Sequence, residues 1–173
     1  EAHINLGVAL ANSGKVEEAV AHFRKALGID PDNPEAQANL NKTLATLEKI
    51  DREIAHLQGQ LAHKPQDPMP NYNLGNLYRM KGQLDKAQDY YTKAISLRSE
   101  FPEAIYELAK LHIGRGEYEK ALLLYQKMIA FLPDNPAGYY NVACIYARWS
   151  KPAESVLWLQ QAVARGLTDW EHI

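Results

Sequence analysis

Four prolines stand at equal intervals along this chain. Pro34, Pro68, Pro102 and Pro136 are 34 residues apart, with no insertion or deletion between them. A fixed interval of this length is typical of a repeated supersecondary unit and argues against a chain built around one central core. The sequence therefore predicts a stack of similar repeats, each of which packs mainly against its neighbours.

Other residue types recur at the same interval, and positions that match in this way are called a register below. Three registers are apolar in every repeat: Leu6, Leu40, Leu74, Leu108 and Val142; Phe23, Leu57, Tyr91, Tyr125 and Leu159; and Leu27, Leu61, Ile95, Ile129 and Val163. Gly14, Gly82 and Gly116 share a register where a tight turn needs unusual backbone angles. Each repeat is thus predicted to be an amphipathic helix, a turn and a second amphipathic helix.

This arrangement resembles the tetratricopeptide repeat (TPR) family, whose unit is a helix-turn-helix. The resemblance covers nearly the whole chain and implies an all-α fold, a right-handed α-solenoid of about five repeats. The expected repeats are residues 1–33, 34–67, 68–101, 102–135 and 136–169, with the start of a capping helix at 170–173. Because the chain begins at Glu1, inside the expected first helix, we expect it to be cut from a longer protein.

Repeat two departs from the others. Glu48 replaces the turn glycine. Residues 35–63 contain one glycine, Gly59, and no proline. The unbroken spacing, with Pro65 in its expected place, favours two helices that fold back on each other. Alternatively, the segment is one helix of about 28 residues, roughly 42 Å long, and repeat one packs on another chain in a domain-swapped dimer. Replacing Glu48-Lys49 by Gly-Asn should then convert the dimer to a monomer.

Composition excludes several classes of function. Nineteen lysines and arginines stand against 21 aspartates and glutamates, so the chain lacks the basic excess that nucleic-acid binding needs. No apolar run approaches the ~20 residues of a membrane span. Cys144 is the only cysteine, which excludes an internal disulfide and a paired-cysteine metal site. We expect a soluble segment, and the lone cysteine favours the cytoplasm.

No arrangement of residues indicates an enzyme. The chain has no glycine loop for phosphate, no nucleophile elbow and no histidine pair at metal-binding helical spacing. His112 shares its register with Leu10, Leu44, Tyr78 and Tyr146, which predicts a packing residue rather than a ligand. We therefore predict a protein without catalytic activity, cofactor or metal.

Binding is the function that the repeat geometry favours. In a stack of such hairpins the first helices line a concave groove, so residues that recur on their free faces form rows along it. Asparagine fills one register at Asn5, Asn39, Asn73 and Asn141, interrupted by Glu107. Carboxamides can hydrogen-bond the main chain of an extended peptide. The row resembles the asparagine ladders of O-linked N-acetylglucosamine transferases; alternatively, these residues tie neighbouring helices together.

A second row consists of tyrosines. Tyr72, Tyr106 and Tyr140 precede the asparagine register by one residue and would offer large, rigid contact area with a polar tip. Alternatively, the rings pack on the adjacent repeat. Polar and basic side chains follow along the same face and favour an acidic or carboxylate-bearing ligand: Lys42, Asn76, Arg79, Lys110 and Arg148.

We predict a non-catalytic protein–protein interaction scaffold that binds a peptide or protein segment in the concave groove. The expected contacts are Tyr72, Asn73, Asn76, Arg79, Tyr106, Lys110, Tyr140, Asn141 and Arg148, with Asn5, Asn39 and Lys42 in a secondary part of the groove. One alternative is a self-assembly or spacer module, which would form a homo-oligomer. Another is the substrate-recruiting region of an enzyme such as a glycosyltransferase. Neither nucleic acid nor direct membrane insertion is expected.

Overall fold

The computed structural model describes residues 1–168, which form α-helices and no strands. The helices are α1 (Ala2–Asn12), α2 (Val16–Ile29), α3 (Pro34–His63), α4 (Pro68–Met80), α5 (Leu84–Leu97), α6 (Pro102–Gly114), α7 (Tyr118–Phe131), α8 (Pro136–Arg148) and α9 (Pro152–Ala164). The predicted all-α class is confirmed. The capping helix expected at 170–173 lies outside the described residues.

The four periodic prolines each begin a helix, namely α3, α4, α6 and α8. Proline suits this position because the N–H that it lacks would have no partner inside the helix. Asn33, Asp67 and Asn135 stand immediately before three of these prolines, and each side chain accepts a backbone N–H of the first turn at 2.9 Å. The loops before the prolines therefore fix where the helices start.

The hairpin turns follow the glycine register. Gly14, Gly82 and Gly116 adopt φ angles of +79°, +76° and +72°, and Ser150 takes the same left-handed region in the last hairpin. The helices of a hairpin approach closely where a residue is small. A Cβ placed on Gly75 would lie 2.5 Å from the Tyr91 ring, so only glycine allows this ring to sit against the first helix.

The chain divides into two compact units. The N-terminal unit, residues 1–97, contains the α1–α2 hairpin, the long helix α3 and the α4–α5 hairpin. The C-terminal unit, from residue 98 onward, contains the α6–α7 and α8–α9 hairpins. Each has its own buried core: Phe23 and Tyr91 are inaccessible in the first, and Phe101, Ile105 and Tyr125 in the second.

The hairpin favoured for repeat two is wrong, because α3 runs without a break from Pro34 to His63, over 30 residues. Its apolar face packs into two successive cores of the N-terminal unit. The first half contributes Leu40 to a core with α1 and α2, and the second half contributes Ile50, Ile54 and Leu57 to a core with α4. One continuous stripe thus replaces two facing helices.

Two residues explain why α3 does not fold back. Asn41 occupies the register of Gly7 and Gly75, where the second helix of a hairpin must approach most closely. Glu53 occupies the register of Ala87, whose side chain is completely buried. Folding back would press these two polar side chains into a tight apolar contact at a cost in desolvation. In the straight helix both remain exposed to solvent.

Repeat one does not leave its own chain, as the domain-swapped alternative had required. Val16, at the start of α2, is buried in the second core of the N-terminal unit. The Lys81 ammonium lies 2.6 Å from Asp51 Oδ1 and 3.3 Å from Glu17 Oε1, and Gln83 Nε2 donates to Glu17 Oε1 at 3.1 Å. The turn of the first hairpin therefore meets the turn of the α4–α5 hairpin at the middle of α3.

Candidate peptide-binding surface

The predicted contact residues lie on α1, α3, α4, α6 and α8, and they divide between the two compact units. In the N-terminal unit they are Asn5, Asn39, Lys42, Tyr72, Asn73, Asn76 and Arg79. In the C-terminal unit they are Tyr106, Lys110, Tyr140, Asn141 and Arg148. Each unit presents a local surface of its own, and the two surfaces differ in how far their side chains are already engaged.

Two tyrosines of the second row, Tyr72 and Tyr106, pack against the other helix of their own hairpin. Tyr72 lies with its ring centroid 6.0 Å from that of Tyr91, and Tyr106 stands edge-on to Tyr125 at 6.4 Å. Tyr72 is half-buried, whereas Tyr106 keeps 39% of its surface exposed. Tyr106 is therefore an accessible ring that a buried ring supports from behind.

Charged groups flank Tyr106. The Lys110 ammonium lies 5.0 Å from the centroid of the Tyr106 ring and 3.5 Å from Glu107 Oε1. A cation over an aromatic face is attracted by the ring quadrupole, so Lys110 is held at the rim of the exposed ring. This places a donor of hydrogen bonds and a carboxylate beside one aromatic anchor.

Helices α6 and α8 both pack on α7, and side chains of both lie near Tyr125. Burial raises the pKa of Tyr125 well above its usual range, and the nearby Tyr106, Cys144 and Glu107 add to the increase. Tyr140 of α8 has a raised pKa chiefly because its hydroxyl shares a hydrogen bond with Cys144. These contacts define the α6–α8 surface, made of Tyr106, Glu107, Lys110, Tyr140 and Cys144.

The asparagine row is partly committed to internal hydrogen bonds. Asn141 Nδ2 donates to the Ala137 carbonyl of its own helix at 2.8 Å. Asn76, which stands outside this row at the register of Lys42 and Lys110, accepts a hydrogen bond from the buried Tyr91 hydroxyl at 2.7 Å. Asn39 and Asn73 are half-buried, while Asn5 is exposed. The asparagine row thus stabilises a helix at Asn141, and its members are not equivalent along the chain.

The basic residues of the predicted groove are spread out. Arg148 is exposed in the last turn of α8, and Arg79 is half-buried in the last turn of α4. Lys42 is exposed on α3, at the edge of a cavity of about 200 Å³ that Asn12, Asn39 and Thr43 also line. Two of the three residues of the secondary part, Asn39 and Lys42, therefore line a depression of the N-terminal unit between α1, α2 and α3, and Asn5 lies outside its lining.

Some residues of these surfaces were not predicted from the sequence. Glu107 and Cys144 were not among the predicted contacts, although Glu107 stands in the asparagine register and Cys144 at the register of Lys110. Asn12 and Thr43 line the cavity of the N-terminal unit, and their polar character on an otherwise apolar helix face is the signal that could have identified them.

His112 is buried as predicted, with 7% of its surface exposed. Its Nδ1 forms a hydrogen bond with the Glu117 carboxylate, and this bond, with a second from Lys120, holds the pKa of Glu117 below its ordinary value. Within residues 1–168 no three histidine, cysteine, aspartate or glutamate side chains are grouped as a metal ion would require. None of the helices described here is long and apolar enough to cross a membrane.

Two family models match the sequence, and both are described as tetratricopeptide repeat. One matches residues 78–142 and the other residues 1–33. No curated protein matches the chain. The first match includes α6 and α7 in full, and the second covers the α1–α2 hairpin, so both compact units contain sequence that is typical of the family.

Solved structures agree with this assignment. A crystal structure of MamA superposes with a TM-score of 0.62 at 24% identity, covering 92% of this chain and 93% of that one. YrrB, described as a TPR protein with an unusual peptide-binding site, superposes with a TM-score of 0.58 at 20% identity. The match covers 95% of this chain and 84% of that one. TTC0263, a thermophilic TPR protein from Thermus thermophilus, superposes with a TM-score of 0.55 at 22% identity. The match covers 96% of this chain and 91% of that one. These likenesses show the helical-repeat fold. The two family models, which together match 98 of the 173 residues (65 and 33), show that the chain belongs to the tetratricopeptide repeat family.

Proposed function

We propose that the chain is a non-catalytic interaction scaffold, and that its α6–α8 surface binds an extended peptide segment of a partner protein. The observation that carries the proposal is the exposed ring of Tyr106, supported edge-on by the buried Tyr125. Aromatic side chains that are accessible and yet fixed in place dominate the energy of many protein interfaces. A peptide gains contact area on such a ring without a large loss of side-chain entropy.

The polar groups around Tyr106 suit a peptide better than an apolar ligand. Lys110 and Glu107 can meet both the carbonyl and the N–H groups of an extended main chain. Tyr140 and Asn141 extend the surface along α8, and the exposed Arg148 favours an acidic residue or a terminal carboxylate in the ligand. YrrB, a protein of this fold that is described as having a peptide-binding site, gives further support.

The proposal predicts a binding energy that depends on Tyr106. Peptides selected from a phage-displayed random library on the immobilised chain should lose at least about tenfold in affinity for the Tyr106→Ala variant, because one anchor ring is removed. Fluorescence polarisation with labelled copies of the selected peptides measures this loss. Circular dichroism of the variant should show unchanged helicity, since Tyr106 is partly exposed.

Leu123 provides a matched control. It is 67% exposed on α7, away from the registers that form the proposed surface, so Leu123→Ala should leave the affinity unchanged. A selection that enriches no peptide, or peptides that bind the wild type and Tyr106→Ala equally well, would contradict the proposal. A loss that is equal for Leu123→Ala and Tyr106→Ala would also contradict it, because the binding would then not be local to the α6–α8 surface.

A further inference from the structure

One face of α1 is exposed at positions that every other repeat buries. Leu6 keeps 45% of its surface accessible, whereas Leu40, Leu74, Leu108 and Val142, at the same register, keep between 0% and 8%. Ala2 shows the same contrast, since it is exposed while the matching residues of the other repeats are buried: Ala36, Pro70, Ala104 and Gly138. The first helix thus presents a packing face that nothing covers within the described residues.

Helix α9 presents a second face of this kind. Val156 and Val163 are 52% and 46% exposed, and Leu159 between them is half-buried. The residues that match Val156 in three other repeats are buried: Val20, Ile54 and Leu122. The register of Leu159 holds Phe23, Leu57, Tyr91 and Tyr125, which are also buried. Among residues 1–168, three apolar side chains on one face of α9 therefore lack the contacts that their counterparts make.

Contacts inside the N-terminal unit show how faces like those of α1 and α9 pack against each other. Leu74 of α4, at the register of Leu6, packs in one core with Ile54, Leu57 and Leu61 of α3. Those three residues stand at the registers of Val156, Leu159 and Val163. The same pairing occurs one repeat earlier, where Leu40 of α3 packs with Val20, Phe23 and Leu27 of α2.

The C-terminal unit repeats the pairing at its α7–α8 contact. A Cβ placed on Gly138 would lie 2.8 Å from Ile129 Cγ1, and these two residues stand at the registers of Ala2 and Val163. Three contacts inside the chain therefore join the kind of face that α1 exposes to the kind of face that α9 exposes. Each contact buries apolar surface, which is the main favourable term in such packing.

We propose that the chain self-associates head to tail, with α9 of one copy packed on α1 of the next. The occupant is a second copy because this chain itself carries both halves of a contact that it already forms internally. The two faces differ, so the interface is heterologous and successive copies extend a row rather than close a symmetric dimer, unless the rotation closes a ring. The inference is independent of peptide binding at the α6–α8 surface.

The first test is the mass of the 173-residue chain by light scattering and sedimentation, from about 1 µM to about 1 mM. The average mass should rise with concentration above the 19.5 kDa of one chain. Leu6→Glu and Val163→Glu each place a charge in the proposed contact and should each hold the chain at 19.5 kDa throughout. Both positions are exposed in the single chain, so circular dichroism should show that both variants fold.

A mixture of the two variants provides the sharpest test. Leu6→Glu keeps an intact α9 face and Val163→Glu keeps an intact α1 face, so an equimolar mixture has one functional contact. It should form a heterodimer of twice the chain mass and nothing larger. Leu123→Glu, at another exposed apolar position on α7, is the matched control and should assemble like the wild type.

Several results would overturn the proposal. A wild-type chain that stays monomeric up to about 1 mM has no such contact, whichever other segment then covers α9. Assembly that survives both Leu6→Glu and Val163→Glu uses a different surface. A mixture that stays monomeric, or that grows beyond two copies, excludes the head-to-tail pairing of these faces.

Discussion

At the scale of single residues, the fold depends on the size of the side chains at the positions where two helices approach each other. Gly7 and Gly75 admit the rings of Phe23 and Tyr91, which are almost completely buried. At the same register Asn41 is too large and too polar to admit another helix, and α3 remains straight. The size and polarity of the residue at this register thus contribute to whether a repeat forms a hairpin.

Gly75→Ala tests this dependence. The added Cβ would meet the Tyr91 ring at 2.5 Å, and this ring is fully buried with its hydroxyl bonded to Asn76. We expect the free energy of unfolding to fall by about 1–3 kcal/mol, the usual cost of overpacking, as measured by urea denaturation.

Gly59→Ala is the matched control, because it lies in a helix with nothing within 4 Å of the added Cβ. It should raise the free energy of unfolding by ~0.5–1 kcal/mol through helix propensity. Equal effects of the two substitutions would show that close approach does not matter at Gly75.

At the scale of elements, α3 is the feature that distinguishes this chain from a regular array. It links two cores of the N-terminal unit that a regular repeat would separate by a turn. Its outer face carries Glu48 and Arg52 in a weak ion pair, and its exposed residues are largely polar. The absence of a turn residue is only part of the reason why α3 is straight, since Asn41 and Glu53 also oppose folding back into a hairpin.

A distance measurement between Ala38 and Ala62, both exposed, separates the two conformations of repeat two. Spin labels at these positions, in a chain with Cys144→Ser, should be about 36 Å apart along a straight helix and roughly 15 Å apart in a hairpin. We expect the long distance in the wild type. Replacing Glu48-Lys49 by Gly-Asn should leave it unchanged.

A second variant adds Asn41→Gly and Glu53→Ala to the Gly-Asn turn. In this variant, part of the population should shift to the short distance. The shift is expected because both close-approach positions then match those of the regular hairpins. A short distance in the wild type, or with the Gly-Asn turn alone, would show that the turn residue decides the conformation.

At the scale of the whole molecule, each compact unit contains a group that titrates at high pH. Burial alone would lower the pKa of Lys81, but its hydrogen bonds to Asp51 and Glu17 outweigh this effect and raise it. Burial raises the pKa of Tyr125 in the other unit. In both cases the folded state holds the proton more tightly than the unfolded state, so folding is weakened as pH rises past about 10.

We therefore expect the free energy of unfolding to be constant with respect to these two groups near neutral pH and to decrease above about pH 10. Tyr125→Phe removes the phenol, and Lys81→Met removes the ammonium, so each variant should show a shallower alkaline decrease than the wild type. Chemical denaturation between pH 7 and pH 11 measures the slopes. Variants whose slopes equal that of the wild type would contradict the assignment.

The sequence predicts the local features of this molecule better than its tertiary ones. Prolines and glycines at a fixed interval mark the helix starts and turns, because both residue types act through their own backbone. Tyr106 is predicted as an accessible tyrosine from its register alone. The grouping of Glu107 and Cys144 around Tyr125 depends on three helices meeting, and the straightness of α3 depends on contacts that Asn41 and Glu53 would have made.

The continuity of α3 also explains how an irregular repeat keeps a regular length. A residue added to a loop is absorbed locally, but a residue added to the middle of α3 would rotate everything beyond it by about 100°. Leu40 and Ile54 would then no longer face their two cores together. Between Pro34 and Pro68 the interval is therefore fixed by the rotational phase of one helix. No turn lies between the two halves of α3 to absorb a single inserted residue.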